Sequence, residues 1–236
     1  MKEDIRANIE DIRQRIAAAA KRAGRDPEDV TLIAVTKLHD PEEMNEAIAC
    51  GASDIGENKV QELTAKYDSV TKGVRWHLIG HLQTNKVKYI AAKVCMIHSV
   101  DSLKLANEID KRCGAIGRTM DVLVEVNCAG EESKSGVAPD GAQGLVCDII
   151  NKCPAVRVKG LMTVAPAADD PEDVRQYFRQ LRLLMDKINE GLDGPLKLSQ
   201  LSMGMSHDFE TAIEEGATMV RVGTAIFGAR DYSKKI

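Results

Sequence analysis

The sequence lacks the patterns that would assign it at once to a membrane, secreted or nucleic-acid-binding class. Its 236 residues contain no apolar run approaching the roughly 20 residues that a membrane-spanning helix needs. The N-terminus carries acidic residues where a secretory signal peptide has its apolar stretch. A net charge of -4 gives no electrostatic reason to expect a nucleic-acid partner. We therefore expect a soluble, cytoplasmic protein that binds a small molecule.

Patterns for metals, disulfides and domain linkers are also missing. The six cysteines include no CxxC pair, and the five histidines show neither HExxH nor zinc spacing. We expect reduced thiols and no metal site. No Gly-, Ser- or Pro-rich linker and no shift in composition divides the chain, so we predict one domain over residues 1–236.

Short β-branched runs alternate with helical stretches along the chain. The eight runs are TLIAVT from residue 31, SDIGE from 53, RWHLIG from 75, CMIHSV from 95, DVLVEVN from 121, VRVKGLMT from 156, KLSQLSM from 197 and TMVRVG from 218. Eight strand-then-helix units are typical of a parallel (β/α)8 barrel of the TIM type, in the α/β class. A doubly wound open sheet uses the same alternation, but it has fewer strands and a Gly-rich turn after the first, which is absent here.

Capping residues, prolines and glycines mark the ends of the predicted helices. Isoleucines at positions 5, 9, 12 and 16 predict an extra amphipathic helix before the first strand, ended by Gly24 and Pro27. Further helix starts are predicted at Asp40-Pro41 with Gly51 as the stop, at Asp101 as a cap, at Pro139-Asp140, at Asp170-Pro171 through Asn189, and after Ser206.

Barrel enzymes carry their sites at the carboxyl ends of the strands, so the last residues of each run deserve inspection. Lys37 follows the first run directly. A lysine partly removed from water loses its proton more readily and can attack a carbonyl. The alternative is an ordinary lysine at the rim of the barrel, and position alone does not separate the two.

The last two strands end in loops suited to an anion. Gly204 and Ser206 follow the seventh run, and Gly223 and Thr224 follow the eighth. Glycines let backbone N–H groups approach a phosphate, helix N-termini attract it, and the hydroxyls can donate to it. Barrels frequently bind phosphate in these two loops. A reactive lysine opposite a phosphate site indicates either a Schiff-base aldolase or a pyridoxal phosphate protein.

Arg221 bears on that choice. It lies two residues before Gly223 on the same strand face, which predicts a side chain pointing into the barrel. There it could meet the pyridine nitrogen of pyridoxal phosphate, and since arginine can only donate, that nitrogen would stay unprotonated and the ring would be a weaker electron sink. A buried ion pair with Glu57 or Glu125 is the alternative.

At these residues the sequence resembles the family of pyridoxal phosphate homeostasis proteins, whose barrel is similar to the N-terminal domain of alanine racemase. The resemblance runs over nearly the whole chain. It rests on AVTK (34–37), IGENKVQE (55–62), WHLIGHLQTNK (76–86), EESKSG (131–136), GLMTVAP (160–166), LSMGMSHDFETAI (201–213) and VRVGTAIFG (220–228).

The resemblance implies roles for six residues. Lys37 matches the family's Schiff-base lysine, and Arg221 matches the arginine at the pyridine nitrogen. The phosphate-binding positions are matched by Ser206, Gly223 and Thr224, and Asn58 matches a residue that lines the pocket. The implied cofactor is pyridoxal 5'-phosphate.

The implied function is intracellular storage or delivery of this cofactor to apoenzymes, without established catalytic turnover. Alanine racemase takes its second acid/base, a tyrosine, from a separate domain, and we expect none here because the chain ends at Ile236. A small racemase or decarboxylase is the alternative, and a cofactor-free aldolase ranks third. We expect a monomer.

Three further residues are ambiguous. His77 falls inside a strand and is interpreted as a packed structural histidine. His81 lies nearer the predicted mouth, where it could contact a ligand. Lys134 is interpreted as a solvated charge, with a role as a second amine that receives or releases the aldehyde as the sharper hypothesis.

Overall fold

The computed structural model describes residues 4–131 and 134–228, and in this part of the chain eight parallel strands close into a barrel in sequence order. The strands are β1 Thr31–Val35, β2 Asp54–Glu57, β3 Arg75–Leu78, β4 Met96–Val100, β5 Met120–Glu125, β6 Val156–Met162, β7 Gln200–Met205 and β8 Met219–Val222. Each overlaps one predicted run, although β7 begins three residues later and ends two residues later than the run from 197, and β1 pairs with β8 to close the sheet. The predicted (β/α)8 fold is confirmed.

Helices form the outer layer. They are α1 Ile5–Arg22, α2 Pro41–Ala49, α3 Val60–Lys66, α4 Val87–Ile90, α5 Leu103–Gly114, α6 Pro139–Lys152, α7 Arg175–Glu190, α8 Phe209–Glu214 and α9 Thr224–Phe227. The extra helix α1 is present as predicted, and it packs against α2, α8 and α9. Its four predicted isoleucines are buried, so the apolar stripe read from the sequence is the packed face.

Several helix starts differ from their prediction. The cap of α5 is Ser102 rather than Asp101, because the Ser102 side chain accepts from the backbone N–H of Leu105. The segment from Pro171 first forms a short 3-10 turn, and α7 begins only at Arg175. After Ser206 the chain turns through Asp208 before α8 begins. Boundaries shift because several polar residues compete for each helix end.

The barrel interior and the outer layer are built from alternate residues of each strand. Interior apolar residues form their own cluster: Ile33, Met96, Leu123, Met162 and Met219. Their strand neighbours face outward into the larger core beneath the helices. This alternation fixes which side chains reach the carboxyl-end mouth.

Two expectations fall partly outside the described residues: the end of the chain at Ile236 and the middle of the EESKSG loop, residues 132 and 133. None of the described helices is long and apolar enough to cross a membrane. All six cysteines are free thiols.

Candidate functional site

A cavity of about 330 Å³ opens at the carboxyl-end mouth of the barrel. All six residues singled out from the sequence line it: Lys37, Asn58, Ser206, Arg221, Gly223 and Thr224. They come from the ends of β1, β2, β7 and β8 and from the loops that follow. The volume lies at the lower end of the range for small-molecule sites.

Lys37 reaches the cavity through the alternation of β1. Ile33 lies in the interior cluster and Val35 lines the cavity, so the residue two further along also faces inward. Thr36 faces the opposite way and is fully buried. The sequence position of this lysine therefore translates directly into a place in the mouth.

The backbone on the amino side of Lys37 is held by a buried charged group that we call the Lys66 cluster, made of Thr36, Glu57, Glu62 and Lys66. The Thr36 hydroxyl donates to Glu57 Oε1 at 2.8 Å, and Lys66 Nζ donates to the Thr36 carbonyl at 3.0 Å. Lys66 Nζ also lies 2.9 Å from Glu57 Oε1. Burial raises the pKa of Glu57, against the opposing effect of Lys66.

The carboxyl side of Lys37 is held by the same cluster. Leu38 has a φ of +66°, a left-handed conformation that costs energy for a residue with a side chain. Its backbone N–H donates to Glu62 Oε2 at 3.0 Å. Lys37 thus stands between two residues that a buried ion pair keeps in place.

The wall of the cavity formed by the ends of β7 and β8 carries hydrogen-bond donors. Ser206 Oγ accepts from the backbone N–H of Gly223 at 3.2 Å and of Ala225 at 3.3 Å. Ser206 therefore sits at the start of α9, not at the start of the helix that follows it in sequence. A Cβ on Gly223 would lie 3.2 Å from the Cβ of Val35, so a side chain there would crowd the wall.

Arg221 lies beneath this wall and is buried. Its guanidinium donates to Ser202 Oγ at 2.6 Å and to the Thr163 carbonyl at 2.8 Å. The predicted alternative, an ion pair with Glu57 or Glu125, does not occur among the described salt bridges, and Glu57 faces the outer layer instead. Burial lowers the pKa of Arg221 to about 10, so the side chain stays charged at neutral pH.

Asn58 lines the mouth of the barrel in close contact with Gly80, which has no side chain. A Cβ on Gly80 would lie 2.5 Å from the Asn58 carbonyl oxygen and 2.9 Å from its Cα. Only glycine allows the loops after β2 and β3 to approach this closely.

None of the three residues left ambiguous by the sequence, His77, His81 and Lys134, belongs to the cavity lining. His77 is buried inside the barrel, as predicted, and bonds to Asp54 and His98. His81 lies outside the cavity lining with 55% of its side chain exposed, 3.7 Å from Asp101. Lys134 is half-buried in the loop after β5 and also lies outside the lining.

Sequence reasoning missed one polar residue of the lining, His207. Its Nε2 lies 2.9 Å from the Asp169 carbonyl, which orients the imidazole at the rim. Its position directly after Ser206 in the phosphate loop was the available signal. The remaining lining is apolar and comes from Val35, Ile79, Val164 and Met205.

A buried carboxyl adds to the electrostatics of the interior. Burial raises the pKa of Glu125 to about 7; Asp101 adds to the rise, and the charge of Arg221 opposes it. Its Oε2 is buried without a hydrogen-bond partner in the described residues. A larger cavity, about 550 Å³, lies around Asp54 and Arg75 near the amino ends of the strands, away from Lys37.

Comparison with known proteins places the chain. The family model described as alanine racemase, N-terminal domain, matches residues 5–231. The pyridoxal phosphate homeostasis protein of Aquifex aeolicus is 48% identical over 220 residues, 93% of this chain and 95% of the relative. The chain belongs to the pyridoxal phosphate homeostasis proteins of the alanine racemase N-terminal-domain family. The resemblance read from the motifs is thereby confirmed.

Two solved structures at more than 30% identity have the same fold. An unknown protein from Bifidobacterium adolescentis aligns with a TM-score of 0.89 at 39% identity, covering 96% of this chain and 98% of that one. PipY of Synechococcus elongatus PCC7942, with PLP bound, aligns with a TM-score of 0.78 at 34% identity, covering 90% of this chain and 100% of PipY. Family membership thus agrees with the barrel found here.

Proposed function

We propose that this protein binds pyridoxal 5'-phosphate as a Schiff base on Lys37 and acts in cytoplasmic homeostasis of the cofactor, holding it and passing it to apoenzymes without catalytic turnover of its own. The observation that carries the proposal is the convergence of the six predicted residues on one cavity. We also propose that the protein acts as a monomer.

Lys37 supplies the covalent link. With the cofactor bound, Nζ of Lys37 would hold it by condensing with its aldehyde, so that a C=N bond would replace the C=O bond and one water would be released. The Lys66 cluster holds the residues on both sides of Lys37, so the amine is presented from a fixed backbone. Such fixed presentation favours imine formation because little ordering remains to be done on binding.

The phosphate end of the cofactor fits the wall formed by the ends of β7 and β8. The backbone N–H groups of Gly223 and Ala225 converge on one point, now taken by Ser206 Oγ. A phosphate oxygen is a stronger acceptor than a hydroxyl, and the hydroxyls of Ser206 and Thr224 can turn to donate to it. Among the described residues, the cavity lining contains no carboxylate that would repel the anion.

Arg221 bears on what the bound cofactor can do. A guanidinium has donors only, so a pyridine nitrogen that meets it stays unprotonated. The cofactor supplies an electron sink for carbanion chemistry, and that sink is weaker when its nitrogen carries no proton. A weak sink suits a protein that stores the aldehyde rather than one that turns over amino acids.

Relatives support the role as well as the ligand. The Aquifex aeolicus protein carries the name pyridoxal phosphate homeostasis protein at 48% identity. The Escherichia coli K12 protein carries the same name at 39% identity over 98% of this chain. PipY has been solved with PLP bound. These are properties of the relatives, and we extend them to this chain.

The first experiment is an absorption spectrum of the protein loaded with pyridoxal phosphate, with Lys37→Ala beside it. We expect an imine band in the wild type alone and, after borohydride reduction and peptide mapping, the adduct on Lys37. Lys59→Ala is the matched control, because this lysine is exposed and directly follows Asn58 of the cavity lining without belonging to that lining. A colourless wild type, or an adduct on another lysine, would reject the proposal.

Delivery needs a separate measurement. We expect the loaded protein to activate an apoenzyme faster than free cofactor at the same concentration. Equal rates would remove delivery and leave storage.

A small pyridoxal-phosphate-dependent enzyme is the second candidate, and His207 is the observation that favours it. The imidazole lines the cavity together with Lys37 and is oriented by a backbone carbonyl, as an acid/base group would be. Exchange of Cα protons with deuterated water, tested over amino acids and lost in His207→Gln, would establish this function. We expect no exchange.

A further inference from the structure

A line of polar side chains crosses the inside of the barrel below the cavity. Ser202 Oγ lies 2.6 Å from Arg221 Nη1 and 2.9 Å from His98 Nδ1. His98 Nε2 lies 2.9 Å from His77 Nδ1, and His77 Nε2 lies 2.9 Å from Asp54 Oδ1. We call these five residues the interior chain. It joins β8, β7, β4, β3 and β2 without a gap.

This arrangement is built into the strands. Interiors of such barrels are usually filled with layers of branched apolar side chains. Here His98 stands two residues after the interior Met96, and Arg221 stands two after the interior Met219. His98 and Ser202 are fully buried, so no solvent competes for their hydrogen bonds.

Arg221 and Asp54, the two end residues of the interior chain, fix the direction of every hydrogen bond in it. Arg221 can only donate, so Ser202 Oγ accepts from it and gives its own proton to His98 Nδ1. His98 then donates from Nε2 to His77 Nδ1. His77 donates from Nε2 to Asp54, which as a carboxylate can only accept.

In this arrangement both imidazoles are neutral, and the N–H group of each imidazole and the hydroxyl of Ser202 all meet an acceptor. The thiol sulfur of Cys95, 3.4 Å from His77 Nε2, is a weak second contact there. The direction therefore follows from the ends rather than from any assumed tautomer.

The charges agree with this direction. Burial is the main cause that lowers the pKa of His98 well below its usual value, and the charge of Arg221 adds to it, so its ring stays neutral. Burial alone would raise the pKa of Asp54, but hydrogen bonds from His77, Arg75 and Ser53 outweigh it and lower the pKa below its usual range. The donor-only end and the acceptor-only end are thus both in place.

We propose that Ser202, His98, His77 and Asp54 are positioning residues for Arg221, holding its guanidinium in one orientation beneath the cofactor ring through a directed hydrogen-bond chain. The role of Arg221 at the cofactor ring rests on the proposed function. The interior chain itself is present in the structure without the cofactor.

The orientation matters because of what Arg221 lacks. No carboxylate contacts it among the described residues, and a buried guanidinium with too few acceptors is expensive. Ser202 and the Thr163 carbonyl engage one terminal nitrogen each, which fixes the plane of the group. Removing the Ser202 hydroxyl leaves one anchor and lets the plane turn away from the ring.

The first arm of the test needs no cofactor. Nitrogen-15 NMR of histidine side chains in the 236-residue chain should show His77 and His98 both protonated on Nε2 and bare on Nδ1. In Ser202→Ala the Nδ1 resonance of His98 should move, because its donor is gone. Met162→Leu is the matched control: it alters the interior beside Ser202 but lies off the interior chain.

The second arm uses the protein loaded with pyridoxal phosphate labelled at the ring nitrogen. We expect the ring-nitrogen resonance to move in Ser202→Ala and in His98→Gln, and the affinity for the cofactor to fall about tenfold in Ser202→Ala. Met162→Leu should leave both unchanged. Ser202→Ala removes one oxygen atom only, so it tests the chain even where His98→Gln folds poorly.

Each remaining outcome overturns a defined part. A proton on Nδ1 of His98, or an Nδ1 resonance unmoved by Ser202→Ala, rejects the directed chain. The positioning of Arg221 is rejected if the interior chain is present but the ring-nitrogen resonance moves in neither Ser202→Ala nor His98→Gln. It is also rejected if that resonance moves equally in Met162→Leu. A wild type that forms no imine rejects the proposed function, and with it the role at the ring, while the first arm still judges the chain.

Discussion

The Lys66 cluster and the interior chain are both buried and polar, and they support two parts of the same cavity by different means. The Lys66 cluster lies between the sheet and α3, carries full charges and holds the backbone on either side of Lys37. The interior chain lies inside the barrel, passes through neutral side chains and holds the guanidinium of Arg221.

The difference shows how each type of support responds to damage. An ion pair in a dry environment depends on both partners, since removal of one leaves an uncompensated charge. A chain of neutral groups spreads the loss, because a broken link costs about one hydrogen bond. The covalent anchor of the proposed site therefore rests on the more fragile support.

The largest effect is expected from Lys66→Met. This change keeps the volume of the side chain but leaves Glu57 buried without its cation. We expect a loss of about 3–5 kcal/mol in the free energy of unfolding, measured by urea denaturation. Imine formation on Lys37 should weaken at the same time, because the Thr36 carbonyl loses its donor.

Lys59→Met provides the control, because Lys59 is the N-cap residue of the same helix. Lys59 pairs with Glu62 at 3.8 Å, but 71% of its side chain is exposed, so the loss should stay below about 1 kcal/mol. Adding Glu57→Gln to Lys66→Met should recover stability by removing the unpaired charge. Equal losses at Lys66 and Lys59 would contradict the role given to burial.

A second prediction concerns the carboxyl group of Glu125, which lies inside the barrel but outside the interior chain. The folded protein raises the pKa of Glu125 to about 7, so between about pH 4.5 and pH 7 it binds this proton more tightly than the unfolded chain does. Stability should therefore fall by about 3 kcal/mol as pH rises through this window and stay level above it. Glu125→Gln should abolish this fall, as measured by urea denaturation at several pH values.

Glu42→Gln serves as the control, because Glu42 is exposed on α2. It should leave the pH profile of the wild type unchanged. A profile that keeps its fall in Glu125→Gln would mean that another group titrates in this window, and that the barrel interior tolerates the ionised carboxylate.

Much of the fold and of the cavity could be predicted because the information is local. A β-branched run followed by a helix start marks a strand, and the last residue of the run marks the mouth. Lys37 and Arg221 were found in this way, since alternation along one strand decides which side chain faces inward. The family motifs then added Asn58, which no local rule singled out.

The supports of the site could not be predicted because they are contacts between distant segments. Ser202 and His98 are 104 residues apart in sequence and meet only when the barrel closes. In the sequence, Lys66 looks like any exposed lysine on a helix. Only the packing of α3 shows that it is buried. The polar residues of the interior chain also occupy strand positions where apolar residues are expected. A prediction from the hydrophobic pattern therefore does not identify them.

The smallest effect is expected where the interior chain meets solvent, and it tests the comparison most directly. Arg75→Met breaks a salt bridge to Asp54, as Lys66→Met breaks one to Glu57. Arg75, however, is 59% exposed, and Asp54 keeps its bonds from His77 and Ser53. We expect a loss below about 1 kcal/mol at neutral pH in urea denaturation.

The same variant should shift acid unfolding. Arg75 helps to hold the pKa of Asp54 below its usual range, and the stability that this provides is present above the usual pKa and lost as pH falls. Without Arg75 the loss should begin at a higher pH. His77 should keep its proton on Nε2, because Asp54 remains ionised at neutral pH. A neutral-pH loss as large as that of Lys66→Met would instead make Asp54 as dependent on one cation as Glu57 is, and the two supports would no longer differ in kind.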